Sequence, residues 1–145
     1  MKSARHRSRE FALQGLYSWL LAGQAVSDIA AQLQATKGFE RADAAYFLAL
    51  LRGAIEQQAA IEEVIVPCLD RPLKELSPVE RGILLLGAWE LKNSPDVPYR
   101  VVINEAVELA KSFGGTEGHK YVNGVLDKLA KSLRAHETAA NKASV

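Results

Sequence analysis

The sequence has a single cysteine, Cys68, so no internal disulfide can form and a secreted, disulfide-stapled scaffold is excluded. It also lacks a long hydrophobic run. The uncharged stretch 11–26 holds Gln14, Gly15, Ser18, Gly23 and Gln24, and is too short and too polar for a membrane span. The start is basic, but an amphipathic pattern follows at once with no cleavage site, and the chain is read as cytoplasmic.

Catalytic and metal-binding signatures are missing too. His6, His119 and His136 are scattered, and no Glu-x-x-His pair is present, so no metal or cofactor is expected. Glu105 and Glu108 share a helix face but have no partner nucleophile, and are read as solvated carboxylates. The segment from Gly114 to Lys120 has the wrong glycine spacing for a phosphate loop and lacks a Ser or Thr after the lysine. No enzyme is expected. Cys68 reads as a small apolar residue beside a helix end.

What is present is helical periodicity. With 145 residues, 48% hydrophobic and 24% charged, the chain can bury one core without staples. Leu13, Leu16 and Leu20, widened by Ala12 and Trp19, form a stripe that Gly23 ends. Ser27 is expected to cap a short helix through Ala35. A longer pattern runs from about Arg41 to Val66 and should break near 57–60, before Pro67.

Ser77-Pro78-Val79-Glu80 carries a capping-box signature. The helix it starts is apolar on nearly every side and belongs at the centre of the fold. Val102, Ala106, Leu109 and Phe113 mark another helix, stopped by Gly114 and Gly115. Thr116 is expected to cap a last one, carrying Val122, Val125, Leu126, Leu129 and Leu133. Val64-Ile65-Val66 and Val101-Val102-Ile103 are β-prone, but each lies within a helical pattern. The expectation is an all-α domain of roughly seven helices over residues 1–134, with a flexible tail over 135–145.

Charge is uneven along this framework. The net value is +1, yet Lys2, Arg5, Arg7 and Arg9 all precede the first acid, Glu10. A local polyanion contact fits that better than a wholly basic coat. In an extended chain the three arginines would track one phosphate backbone. In a helix, Arg5 and Arg9 share a face and Arg7 points elsewhere. Helix stability does not account for them, because cations at a helix N-terminus oppose the macrodipole. Tyr17, and Tyr121 beside His119 and Lys120, add rings of the kind on which single-stranded nucleic acid stacks. Lys128, Lys131 and Arg134 sit at a helix C-terminus, where the dipole favours them.

These residues bring a resemblance. The opening Arg5-x-x-x-Arg9-Glu10-x-Ala12-x-Gln14-x-Leu16-Tyr17 is similar to that of the NusB family of bacterial transcription antitermination factors. So is the longer run from Val97-Pro98-Tyr99 through Asn104-Glu105-Ala106 to Phe113-Gly114. A third match is His119-Lys120-Tyr121-Val122-Asn123-Gly124-Val125-Leu126-Asp127. The likeness covers about residues 2–134. His6 stands where the family often has another arginine, and Tyr121 where it often has phenylalanine.

The resemblance implies two packed helical sub-bundles without enzymatic activity. The implied partners are the boxA RNA of ribosomal RNA leaders, the small-subunit ribosomal protein that serves as NusE, and the RNA polymerase antitermination complex. The implied RNA face is Lys2, Arg5, Arg7, Arg9, Tyr17, Glu117, His119, Lys120 and Tyr121, and the partner face lies near Glu75 and Glu80. The family permits a monomer or a homodimer. The alternative is a helical adaptor, or an RNA-binding module like the accessory domain of ribosomal RNA methyltransferases.

Overall fold

The computed structural model describes residues 2–115 and 117–143, with side chains described through residue 140. Eight α-helices are formed among the described residues: α1 (Ala4–Ala22), α2 (Val26–Gln34), α3 (Ala44–Glu56), α4 (Gln58–Ile65), α5 (Pro78–Asn93), α6 (Tyr99–Phe113), α7 (Gly118–Leu133) and α8 (Ala135–Ala143). No strand occurs among them. No helix is long and apolar enough to cross a membrane.

Helix α5 is the axis of the fold. Ile83, Leu84, Leu85, Leu86, Ala88 and Leu91 are all buried, on more than one side of the helix. One side packs with α1, α3 and α4, and another with α6 and α7. Two sub-bundles thus share one central helix and one continuous hydrophobic core. Full burial of a leucine-sized side chain contributes about 1.5–3 kcal/mol, so this helix supplies much of the driving force for folding. Arg81 of α5 also grips Glu62 of α4 through both carboxylate oxygens, at 2.6 and 2.9 Å.

The local signals behave as chemistry requires. Ser77 Oγ accepts from the Glu80 amide at 3.1 Å, and the Glu80 carboxylate accepts from the Ser77 amide, which closes the capping box. Gly23 ends α1 with φ of 66°, a left-handed conformation that glycine adopts without steric penalty. The long central pattern divides at Gln57, which ends α3 and precedes α4.

Three details differ from expectation. Helix α2 begins at Val26 after Ala25 with no side-chain cap, so Ser27 lies inside its first turn. Thr116 lies outside the described residues, and α7 starts after Glu117 without a side-chain cap. Of the tail expected over 135–145, Ala135–Ala143 forms α8.

The reason is Arg134. It is buried and donates to the Leu91, Glu90 and Ser94 carbonyls at 2.7, 3.3 and 2.8 Å, satisfying acceptors at the end of α5. Its remaining nitrogen pairs with Glu137 at 2.6 Å, and Glu137 accepts from the Tyr99 amide at 2.8 Å, at the start of α6. Burial raises the Glu137 pKa, but the Tyr99 amide and Arg134 outweigh it and hold the carboxyl below its ordinary value.

Candidate nucleic-acid interface

The basic segment is helical from Ala4. Ser3 caps it by accepting from the His6 amide at 3.0 Å. Arg5 and Arg9 therefore share one face, and Arg7 lies on another.

Arg9 turns inward and leaves the surface set. It is 3% exposed, and its Nε and Nη2 donate to the two Glu90 oxygens at 2.7 and 2.8 Å. Glu105 lies 3.5 Å from its third nitrogen. Burial works against the charge, but Glu90, with help from Glu105, overcomes it and keeps the guanidinium protonated. Tyr46 of α3 donates its hydroxyl to Glu90 Oε2 at 2.5 Å. Burial, then the Glu90 carboxylate, push the Tyr46 pKa up to about 12, so it stays a donor. The residue expected on RNA is the centre of a buried clamp joining α1, α3 and α5.

His6 also turns inward. It bonds Glu105 through Nδ1, and its Nε2 is 3.7 Å from Glu10. Three cations remain outside. Lys2 is exposed and pairs with Glu10 at 2.8 Å. Arg5 is exposed, with its guanidinium carbon 4.2 Å from the centre of the Tyr46 ring and 3.8 Å separating Nη1 from Asp96. Arg7 has no ion-pair partner among the described residues and is half-buried.

Tyr17 lies three turns along α1 and is 39% exposed. It opens onto a groove of about 340 Å³ lined also by Leu13, Gln14, Ser18, Val79 and Phe113. Phe113, at the end of α6, is 42% exposed. The sequence marked it only as a member of the α6 apolar stripe. Its position just before two glycines was the available hint that the stripe runs off the core there. Glu80 adjoins this groove through Val79, and its carboxylate is so close to the start of α7 that a Cβ on Gly118 would sit 3.4 Å from it. The start of α5 and the end of α6 thus meet Tyr17 at one corner, with the start of α7 against Glu80. Glu75 is exposed in the turn before α5.

Tyr121 is half-buried, and Arg71 stacks on its ring at 4.2 Å. Arg71, fifty residues away in sequence, was not anticipated; it is exposed and also pairs with the neighbouring Asp70 at 2.7 Å. Lys120 itself pairs with Glu117 at 3.0 Å, both largely exposed.

The Tyr121 hydroxyl is buried beside the backbone and carboxylate of Asp70, with no hydrogen bond of good geometry to either. Burial, and the nearby Asp70 carboxylate, raise its pKa. A hydroxyl so weakly held contributes little net stability, so Tyr121→Phe should leave the melting temperature nearly unchanged, with RNA binding retained. A fall in melting temperature would show that the hydroxyl is bonded in solution.

Among the described residues, no three His, Cys, Asp or Glu side chains gather to hold a metal. These features define an all-α, two-lobed helical protein with cations at the start of α1 and an aromatic groove further along it.

The NusB family model matches residues 6–131. A transcription antitermination protein NusB of Paraburkholderia phytofirmans is 61% identical over 140 residues, covering 97% of each chain. One from Nitrosospira multiformis is 61% identical over 132 residues, covering 91% of this chain and 84% of its own. The T. maritima NusB structure superposes with a TM-score of 0.81 at 31% identity, covering 91% of this chain and 94% of that one. A crystal structure of the antitermination factors NusB and NusE with double-stranded RNA gives 0.77 at 26% identity, with 88% and 96% covered. The chain belongs to the NusB family of transcription antitermination proteins.

Proposed function

We propose that this chain binds the boxA RNA of ribosomal RNA leaders together with a small-subunit ribosomal protein of the NusE type, and so supports antitermination by RNA polymerase. It does this in the cytoplasm and catalyses no reaction. The observation that carries the reading is the exposed pair Lys2 and Arg5, with the half-buried Arg7, on a fold shared with a NusB described in complex with NusE and RNA. Tyr17, Glu117, His119, Lys120 and Tyr121 complete the RNA face, and the structure-derived additions are Phe113 and Arg71. The partner's basic surface meets Glu75 and Glu80, the latter while it also caps α5. Residues 1–134 form the binding unit, with α8 at its edge.

Deleting residues 1–9 would be a poor test, because it removes the buried Arg9. The combined substitution of Lys2, Arg5 and Arg7 by Gln leaves the core intact. If ~3–5 phosphates are neutralised, log K against log[salt] for a boxA-like single strand slopes near −2 to −3.5. Three lost contacts at ~0.7 each should flatten it by about 2. An unchanged slope, with an unchanged helical circular dichroism signal, would show that the arm does not bind RNA.

A further inference from the structure

The three cations Lys2, Arg5 and Arg7 are not held alike. Arg7 has no partner among the described residues, whereas Arg5 lies on an aromatic shelf. We propose that Tyr46 is a positioning residue for RNA binding, its ring presenting the Arg5 guanidinium in an orientation ready for phosphate. The inference rests on the reading of Arg5 as a phosphate contact.

The shelf is fixed from both ends. At its backbone, the Tyr46 amide donates to Asp43 at 3.1 Å in the first turn of α3. At its tip, the hydroxyl donates to Glu90, which the two-pronged grip of Arg9 immobilises. A guanidinium stacked on a ring has its flat face occupied and its N–H edge free. That edge makes paired in-plane hydrogen bonds to phosphate oxygens. Holding the long side chain there before RNA arrives lowers the entropic cost of ordering it on binding.

Asp96, the other neighbour of Arg5, does not compete strongly. Its contact is 3.8 Å, and its side chain is 71% exposed, so solvent screens the pair and a phosphate displaces it. Arg7, one face away on the same helix, is a built-in control.

The test is a mutant cycle on the full chain, with affinity for a boxA-like single strand measured across salt and thermal melting beside it. Tyr46→Leu should weaken binding about two- to fivefold, the size of an exposed cation–ring contact. Tyr46→Phe keeps the ring and should lose less affinity than Tyr46→Leu even though it loses the Glu90 bond and melts lower. Arg5→Gln should cost less in the Tyr46→Leu background than in wild type, and Arg7→Gln should cost the same in both. Equal losses for Arg5→Gln in the two backgrounds would overturn the positioning role. So would binding losses that follow melting temperature alike in Tyr46→Phe and Tyr46→Leu. If Arg5→Gln alone changes neither affinity nor slope, the phosphate reading of Arg5 falls, and the inference with it.

Discussion

Arg9→Ala should lower stability by about 3–5 kcal/mol, because it strands the Glu90 carboxylate in the core. Domains of this size have only about 5–15 kcal/mol in total. With roughly 2–4 °C of melting temperature per kcal/mol, the expected drop is roughly 6–20 °C. The salt slope of the folded protein should be unchanged, since the guanidinium never reaches the surface, and any loss of RNA affinity should stay within the few-fold expected from loosening Tyr46. Replacing the whole cluster by apolar groups, Arg9→Met with Glu90→Leu and Tyr46→Phe, should recover most of the loss, because no buried charge or hydroxyl is then left unpaired. A variant that melts normally but binds RNA poorly would return Arg9 to the RNA face.

Gly53→Ala should also destabilise, against the ordinary trend. Alanine is the better helix former by about 1 kcal/mol. Yet a Cβ at residue 53 would lie 2.1 Å from Trp89 Nε1 and 2.3 Å from Cε2, where α3 crosses α5. The indole is 9% exposed and must move, or the two helices must separate. Overpacking of that kind typically costs about 1–3 kcal/mol, which exceeds the propensity gain. Chemical denaturation of Gly53→Ala beside Gly53→Ala with Trp89→Leu checks the cause, since the smaller partner should remove the penalty. Gly124→Ala meets nothing within 4 Å and should stabilise slightly. Equal effects at residues 53 and 124 would sink the steric account.

The sequence displayed what neighbours in the chain decide. Ser77 and Glu80 are three residues apart, and their mutual hydrogen bonds follow from that spacing. The break at Gln57 and the stop at Gly23 are equally local. The all-helical class and the seven helices up to Leu133 follow from apolar periodicity, which the α5 core reproduces.

What stayed hidden depends on distant partners. Arg9 looked like a surface cation because Glu90, eighty-one residues away, is invisible to spacing arguments. The Arg71 guanidinium on Tyr121 and the Tyr46 ring under Arg5 were hidden for the same reason. Helix α8 has too few large apolar residues to announce itself, and polar contacts from Arg134 and Glu137 hold it in place. Phe113 shows the converse: its periodicity is that of a core residue, but the core ends before it.

The corner between α5 and α6 takes contacts from both extremes of the chain. Arg134 binds the Ser94 carbonyl, and Arg5 approaches Asp96 two residues on. A pulling force applied between the first and last helices would therefore load this short segment from opposite sides. The Arg5 contact is long and exposed and would part first. The Arg134 grip, with several short hydrogen bonds shielded from water, would part later. Under tension only the exposed first turn of α1 would loosen, because the Arg9 grip on Glu90 holds the rest of the helix to the centre while Arg134 holds the corner.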